Sequence, residues 1–324
     1  QDKLGIYVME EMWDMWYQRK NKYDYGHDFP QHWREDVESV VKRDQPHPSV
    51  IMYSIGNEVT EPYEEKGVEL GKEIVKLFHE LDDTRPTTVG LNMALLAMSA
   101  MGMGLYDKVD EQTEEMAPAV NSTVFNETVS RNNQLVMASC REDVDKLSTP
   151  ILDAVDIAGY NYAAPRYPLD AEQHPGRISV GSETFPHHLA ATWKEMKNCP
   201  YIIGDFMWAA WDYLGECSLG AWTDEEDGLA FNKPYPWKLA DEGAFDLLGN
   251  PTGEALWAAA VWRNKTSIGV RPVRSVDNTL AKGAWRGTNA IPSWSWSGCE
   301  GKEAIVEVYT PVSYTHLRAH ETSQ

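Results

Sequence analysis

The sequence predicts an α/β fold, a (β/α)8 barrel, on three observations. The strand candidates are apolar along their whole length, helical patterns separate several of them, and successive strands end in polar or aromatic residues. Fully apolar strands separated by helices indicate a parallel sheet that is covered on both faces. A doubly wound nucleotide-binding sheet would carry a glycine-rich turn after its first strand, and this chain has none. A barrel instead collects its chemistry at the C-terminal ends of its strands.

Six strands and at least three helices are predicted along the first two thirds of the chain. Apolar side chains at helical spacing, such as Ile74, Leu77 and Phe78, indicate the helices. A methionine-rich stretch, roughly residues 93 to 150, is predicted to be irregular. The strands are predicted at residues 5–11, 49–58, 86–92, 154–162, 177–183 and 201–208, and the helices at residues 31–44, 67–82 and 187–198.

The pattern changes after residue 264. We assign residues 1–264 to the barrel and residues 265–290, which are rich in Gly, Asn and Arg, to a linker. Residues 291–312 alternate between apolar and polar side chains without a helical pattern, which predicts the start of an antiparallel β domain. Residues 313–324 break this pattern and are predicted to be a non-native tail outside the fold.

The composition and net charge of the chain limit the kinds of partner that it can bind. The net charge of −21 argues against nucleic acid and against an anionic membrane, because both need basic patches. The sequence contains no run of eighteen apolar residues, so no membrane-spanning helix is predicted. Thirteen tryptophans fit a carbohydrate site, since the apolar faces of sugars stack on indole rings, although tryptophan also fills cores. The four cysteines lack metal-ligand spacing and are interpreted either as free thiols of a reducing compartment or as uninformative about function.

Two glutamates at predicted strand ends could cleave a glycosidic bond. One carboxylic acid must protonate the leaving oxygen, and the other must attack the anomeric carbon and form a glycosyl-enzyme. Glu58 and Glu183 are the obvious pair. Asn57, beside Glu58, can donate a hydrogen bond to the sugar 2-hydroxyl, and this contact strengthens in the transition state.

Five segments, in order, resemble motifs of glycoside hydrolase family 2. The segments are "LGIYVMEEMWDMW", "RDQPHPSVIMYSIGNE", "GRISVGSETFP", "YIIGDFMWAAWDYLGE" and "PSWSWSGCEGKEAIVEVYT". The first four resemble the third, fourth, seventh and eighth strands of the family's barrel, and the fifth resembles the entry to the β-sandwich that follows it. The resemblance therefore implies a (β/α)8 TIM barrel without its first two strands, followed by the start of a β-sandwich domain. It also implies that the native N-terminus is missing.

The resemblance implies a role for each matching residue. Glu58 matches the general acid/base and Glu183 the nucleophile, while Asn57 matches the contact to the 2-hydroxyl. Tyr162 matches a tyrosine that supports the ionised nucleophile, and Trp208 matches an aromatic floor under the sugar. Further residues are expected either to line the pocket or to pack: Trp211, Asp205, Trp13, Asp14 and Asn161. The resemblance implies no cofactor, and no metal is expected, because the ligand histidine of some members has no match near Trp16.

The segments "SETFP" and "DYLGE" and the downstream β domain most resemble bacterial β-galactosidases of the family, and this resemblance implies a β-galactoside as the substrate. Glucuronidases of the family carry an Asn-x-Lys pair that reads the sugar carboxylate, and no asparagine here has lysine two residues later. Alternatives are another family 2 β-glycosidase (a β-glucuronidase or β-mannosidase), a catalytically inactive sugar-binding homologue, and a purely structural barrel. The presence of both glutamates favours an enzyme. We expect a cytoplasmic bacterial protein, with homo-oligomerisation of the full-length protein left open.

Overall fold

The computed structural model describes residues 1–20, 23–103, 134–224, 233, 235–273, 280–311 and 313–320. Contacts divide these residues into two compact units. The first unit holds the described residues up to 183 and residues 195–206, and the second holds residues 184–194 and the described residues from 207 onward. Within the described ranges, no helix has the length and apolar character that crossing a membrane requires.

Helices and strands alternate along the first unit, as the sequence predicts. The strands are β1 (Val8–Glu11), β2 (Val50–Asn57), β3 (Thr87–Gly90), β4 (Ala158–Asn161), β5 (Ser179–Thr184), β6 (Ile202–Met207), β7 (Trp222–Asp224), β8 (Ser267–Val270), β9 (Leu280–Lys282), β10 (Glu303–Thr310) and β11 (Ser313–His320). The helices are α1 (Phe29–Asp44), α2 (Glu65–Leu81), α3 (Met93–Ala100), α4 (Gln134–Ala138), α5 (Glu142–Leu152), α6 (Tyr167–Gln173), α7 (Leu189–Asn198) and α8 (Gly253–Arg263).

Strands β1 to β6 follow one another in space in their chain order. Strands β1, β2 and β3 form one sheet with parallel pairing, and β4, β5 and β6 form another. A parallel bridge between Leu91 and Tyr160 joins β3 to β4. This order, with helices between the strands, is that of six consecutive strands of a (β/α)8 barrel. The register brings the C-terminal ends of the strands side by side, with Asn57 opposite Gly90 and Asn161 opposite Glu183.

The core of the first unit lies between the sheet and its helices. Helix α1 buries Trp33, Val37 and Val41, the face that its apolar spacing predicts. Helix α2 buries Ile74 and Phe78. Helices α3, α4 and α5 occupy described parts of the stretch predicted to be irregular, so that prediction is wrong there, while residues 104–133 lie outside the described residues. Helix α3 is apolar on nearly every side, which hides the periodicity by which helices are recognised.

The second unit is rich in antiparallel strands. Strand β10 lies between β8 and β11, and β7 pairs with β9. Strands β8 and β9 fall within the predicted linker, and β11 falls within the predicted tail. The structure therefore corrects both segments to folded ones, because edge pairing uses backbone groups and needs little from the side-chain pattern. The β-sandwich, the domain boundaries and the non-native origin of the tail stay predictions.

The close approach of β3 and β4 depends on a glycine. A Cβ atom at Gly159 would lie 2.1 Å from the carbonyl oxygen of Val89, whereas a Cβ at Gly204 of β6 would meet only the Val180 side chain, at 3.7 Å.

We expect Gly159→Ala to lower the free energy of unfolding by roughly 3 kcal/mol, and Gly204→Ala to change it by less than about 1 kcal/mol. Urea unfolding followed by circular dichroism would measure both, and equal effects would contradict the predicted packing.

Glu254, in the first turn of α8, makes stability depend on pH. It is 2% exposed and accepts hydrogen bonds from the backbone N–H groups of Gly287 (2.6 Å) and Thr288 (3.1 Å). Burial raises the pKa of Glu254 from 4.5 to about 7. The folded state therefore binds the proton more tightly than the unfolded state, and this stabilisation, complete below pH 4.5, is lost as the pH rises to about 7.

Replacing Glu254 by glutamine should remove that loss, since the amide oxygen still accepts both hydrogen bonds and carries no charge. We expect the fall in the free energy of unfolding between pH 4.5 and 7 to be smaller in Glu254→Gln than in the wild type by roughly 3 kcal/mol. Denaturant titrations at several pH values would show this, and parallel pH profiles would contradict it.

Candidate active site

Polar side chains gather at the C-terminal ends of the strands of the first unit. The backbone leaves the strands there in left-handed turns at two non-glycine residues, Glu58 (φ 46°) and Tyr162 (φ 56°). Residues with side chains seldom adopt this conformation, and it is often found at functional sites. The predicted site residues at these ends are Asn57, the last residue of β2, and Glu58 after it; Asn161, the last residue of β4, and Tyr162 after it; and Glu183 on β5.

Glu58 is buried, and its carboxylate is held by two amides. Its side chain receives hydrogen bonds at Oε1 from Asn92 Nδ2, at 2.8 Å, and from Asn161 Nδ2, at 3.4 Å. Its backbone N–H donates to the carbonyl oxygen of Gly90, at 2.7 Å, and the residue is 9% exposed. These contacts fix the position of the Glu58 carboxyl group at the end of β2.

Glu183 lies in the same buried layer and is 7% exposed. Its carbonyl oxygen accepts a 2.7 Å hydrogen bond from the backbone N–H of Tyr162, and its Cα is paired with that of Asn161. Asn161 therefore adjoins Glu183 through the β4–β5 pairing and contacts Glu58 through its side chain. The structure thus brings the two predicted glutamates to one region of the first unit. The support of the nucleophile by the Tyr162 hydroxyl stays a prediction.

A chain of hydrogen bonds continues from Asn161 to Asn57. Asn161 Nδ2 donates to Asn57 Oδ1, at 2.9 Å, and Ser182 Oγ donates to Asn161 Oδ1, at 2.6 Å. Asn57 Nδ2 donates in turn to Asp14 Oδ1, at 2.9 Å. Both N–H groups of Asn161 are directed to protein oxygens, so its amide orients its neighbours, whereas Asn57 and Asp14 lie on a more exposed side of the chain.

Glu11 is a further carboxyl group at this edge. It accepts a 2.8 Å hydrogen bond from Ser54 Oγ, and a Cβ at Gly90 would lie 2.8 Å from its Oε2. Burial raises the pKa of Glu11 to about 7, and the charges of Asp14 and Glu58 add to the rise. The sequence showed Glu11 and Asn92 only as residues at strand ends. Their side-chain partners lie on other strands, which no local pattern reveals.

Two predicted pocket residues of the first unit have structural contacts. The indole of Trp13 is 7% exposed, packs edge-on against Phe29 with ring centroids 5.0 Å apart, and donates to Asp36 Oδ2 at 3.2 Å. Asp205 Oδ1 accepts a 3.3 Å hydrogen bond from the Tyr167 hydroxyl. For Trp13 these contacts are those of a core residue. A role in sugar binding stays a prediction for both residues.

Trp208 and Trp211 lie in the second unit. Trp208 Nε1 donates to Glu242 Oε1 at 2.6 Å, and the Tyr213 hydroxyl donates to the same oxygen at 2.7 Å. Glu242 is fully buried, and burial raises its pKa to about 7. The ring of Trp211 is 57% exposed and stacks on Phe245. The sequence did not indicate Glu242, whose partners precede it by 29 and 34 residues.

The described residues contain one group with the spacing of a metal site, formed by Asp145, Asp170 and His174. Its two carboxylates are already paired with an arginine of the chain. The guanidinium of Arg166 donates to Asp145 and, at 2.6 Å, to Asp170, while His174 contacts Asp145 at 2.8 Å. Arg166 is fully buried. We interpret this group as a structural ion-pair network beneath β4.

Comparison with known proteins shows which family the chain resembles. Residues 1–154 match the family model "Glycosyl hydrolases family 2, TIM barrel domain". A Formosa agariphila protein with the name beta-glucuronidase is 25% identical to this chain over 94% of this chain's length. A beta-galactosidase of Bacteroides ovatus is 23% identical over 84% of this chain's length. These alignments cover 28% and 33% of the two relatives.

A solved structure agrees with the sequence relatives. A glycosyl hydrolase family 2 member from Bacteroides cellulosilyticus superposes with a TM-score of 0.69 and 28% identity, over 95% of this chain and 36% of that chain. The chain thus spans about a third of the length of its relatives. The order of the strand ends, the family match and the agreement in fold lead to one conclusion: residues 1–154 match the TIM barrel domain of glycoside hydrolase family 2, and the chain is similar to members of that family.

Proposed function

We propose that the protein is a retaining β-glycosidase that hydrolyses terminal β-D-galactosides by double displacement. The observation that carries this proposal is the position of Asn161, which donates to the carboxylate of Glu58 and is paired with Glu183 across β4 and β5. Two buried carboxyl groups on one strand-end surface are what glycosidic cleavage requires. Asn57, beside Glu58, adds a donor for the sugar 2-hydroxyl.

In the first step of the proposed reaction, Glu183 attacks the anomeric carbon while Glu58 protonates the departing oxygen. In the second step, Glu58 removes a proton from water, which attacks the same carbon and releases Glu183. The two amides on Glu58 Oε1 hold the carboxyl group in place. Fixed groups of this kind lower the barrier, because no reorganisation is needed during the reaction.

The charge of the first unit's site supports a neutral sugar over a uronic acid. The acidic side chains there are Glu11, Asp14, Glu58 and Glu183, and the neighbouring ammonium of Lys20 donates to Asp14 at 2.9 Å. A uronate carboxylate placed among these groups would be repelled unless a further cation received it. The second candidate function is that of a β-glucuronidase. The observation that favours it is that several relatives carry this name.

A panel of nitrophenyl β-glycosides separates these candidates. The full-length protein should hydrolyse the β-galactoside with a kcat/KM at least roughly 100-fold above that of the β-glucuronide, because the acidic site disfavours a second carboxylate. The reverse preference would establish the glucuronidase. Absence of hydrolysis with sugar binding retained would point to an inactive binding homologue.

Substitution of Glu183 by alanine should lower activity on every substrate by several orders of magnitude, since no glycosyl-enzyme can form. Azide, attacking from the vacated side, should restore turnover and give an adduct of inverted anomeric configuration. Thin-layer chromatography and NMR of the product measure the configuration. An adduct of retained configuration would contradict the role of Glu183 as nucleophile.

Substitution of Glu58 by alanine should leave the first step intact for a dinitrophenyl galactoside, whose leaving group needs little protonation. The second step should become slow, because no base activates water. Stopped-flow absorbance should show a burst followed by a slow steady rate, which azide accelerates while giving a retained adduct. If the burst were missing and azide had no effect, Glu58 would not be the acid/base.

A further inference from the structure

A buried lysine lies beside the candidate active site of the first unit. Lys20 is only 5% exposed, and its ammonium donates to Asp14 Oδ1 at 2.9 Å and to the carbonyl oxygen of Asn57 at 3.2 Å. Burying an ammonium is costly unless it is paired and hydrogen-bonded. The pairing is asymmetric, because the side chain of Asp14 is 53% exposed while that of Lys20 is 6% exposed. The buried ammonium of Lys20 thus holds the partly exposed carboxylate of Asp14 in place.

The anchored carboxylate in turn fixes an amide. Asp14 Oδ1, the oxygen that receives Lys20, also accepts the hydrogen bond from Asn57 Nδ2, at 2.9 Å. The opposite end of the amide, Asn57 Oδ1, accepts from Asn161 Nδ2, at 2.9 Å. The two contacts allow only one of the two orientations of the Asn57 amide, since the oxygen must face Asn161 and the nitrogen must face Asp14.

This orientation determines what Asn57 can offer to a sugar. A carboxamide nitrogen carries two N–H groups, and Asp14 takes one of them. The other remains for a ligand hydroxyl. Were the amide to turn over, an acceptor would replace this donor, and the carboxylate of Asp14 would face the amide oxygen. The ion pair between Lys20 and Asp14 opposes such a turn, because it holds the accepting oxygen in place.

We propose that Lys20 is a positioning residue for substrate recognition, acting through Asp14 to set the Asn57 amide for the 2-hydroxyl of the sugar. The inference rests on the proposed function and deepens it, since it assigns the recognition of one hydroxyl to a buried ion pair. Lys20 contacts Asp14 and the backbone of Asn57, and in this proposal it acts on the sugar through them.

A substrate without the 2-hydroxyl tests this role. In the full-length protein, Lys20→Met should lower kcat/KM for nitrophenyl β-galactoside by roughly 10-fold to 100-fold, and for its 2-deoxy analogue by less than about threefold. Lys20→Arg, which keeps the cation, should recover most of the loss on the parent substrate. Lys72→Met removes an exposed lysine that pairs with Glu69 on α2, and should leave both substrates unchanged.

Asp14→Ala provides an independent test at a half-exposed position, where folding is less at risk. It should also cost more on the 2-hydroxy substrate than on the 2-deoxy analogue, and the double variant should lose no more than the larger single loss. Equal losses on both substrates, or no loss in Lys20→Met, would overturn the inference while the wild type remained an active galactosidase. A wild type inactive on every β-glycoside would instead overturn the proposed function on which it rests.

Discussion

The hydrogen bonds of the Asn161 side chain hold the candidate site together. The amide nitrogen donates to Asn57 and Glu58, the amide oxygen accepts from Ser182, and the backbone is paired with Glu183. The side chain of Asn161 thereby connects the ends of β2, β4 and β5 in addition to their backbone pairing. A polar network in a buried layer is strong when every member is satisfied, and it specifies one arrangement of its members. The positions of the acid, the nucleophile and the 2-hydroxyl donor in the proposed mechanism all depend on this arrangement.

Burial gives the network its chemical character. Charged forms are unfavourable at such depth, which is why burial raises the pKa of Glu11 to about 7. Lys20 supplies a positive charge close to the acids, and it is bonded to Asp14. The site therefore combines several carboxylate and amide oxygens with the anchored ammonium of Lys20. In the proposed function, such a site receives a neutral sugar, whose hydroxyls both donate and accept.

The sequence predicted those features that depend on local patterns. The run from Ser49 to Glu58 predicted β2, which spans Val50–Asn57, because a fully apolar strand has a recognisable length and ends at its first polar residues. The same reasoning found Glu58 and Glu183. It assigned no role to Lys20 or Asn92, because each acquires one only through a side-chain contact with a residue elsewhere in the chain, Asp14 and Glu58 respectively. Nor could it find β11, whose pairing with β10 uses backbone groups. The roles of Trp208 and Tyr162 were implied by resemblance and are still predictions.

The central claim is that Glu183 becomes covalently attached to the sugar. A 2-deoxy-2-fluoro-β-galactosyl fluoride would measure this directly, because its fluorine slows both steps while its good leaving group still allows the first. After reaction with the full-length protein, intact mass spectrometry should show one added fluorosugar, and peptide mapping should place it on Glu183. Attachment to Glu58 or to any other residue would contradict the assignment of roles. Turnover without a trapped adduct, giving a product of inverted configuration, would contradict double displacement itself.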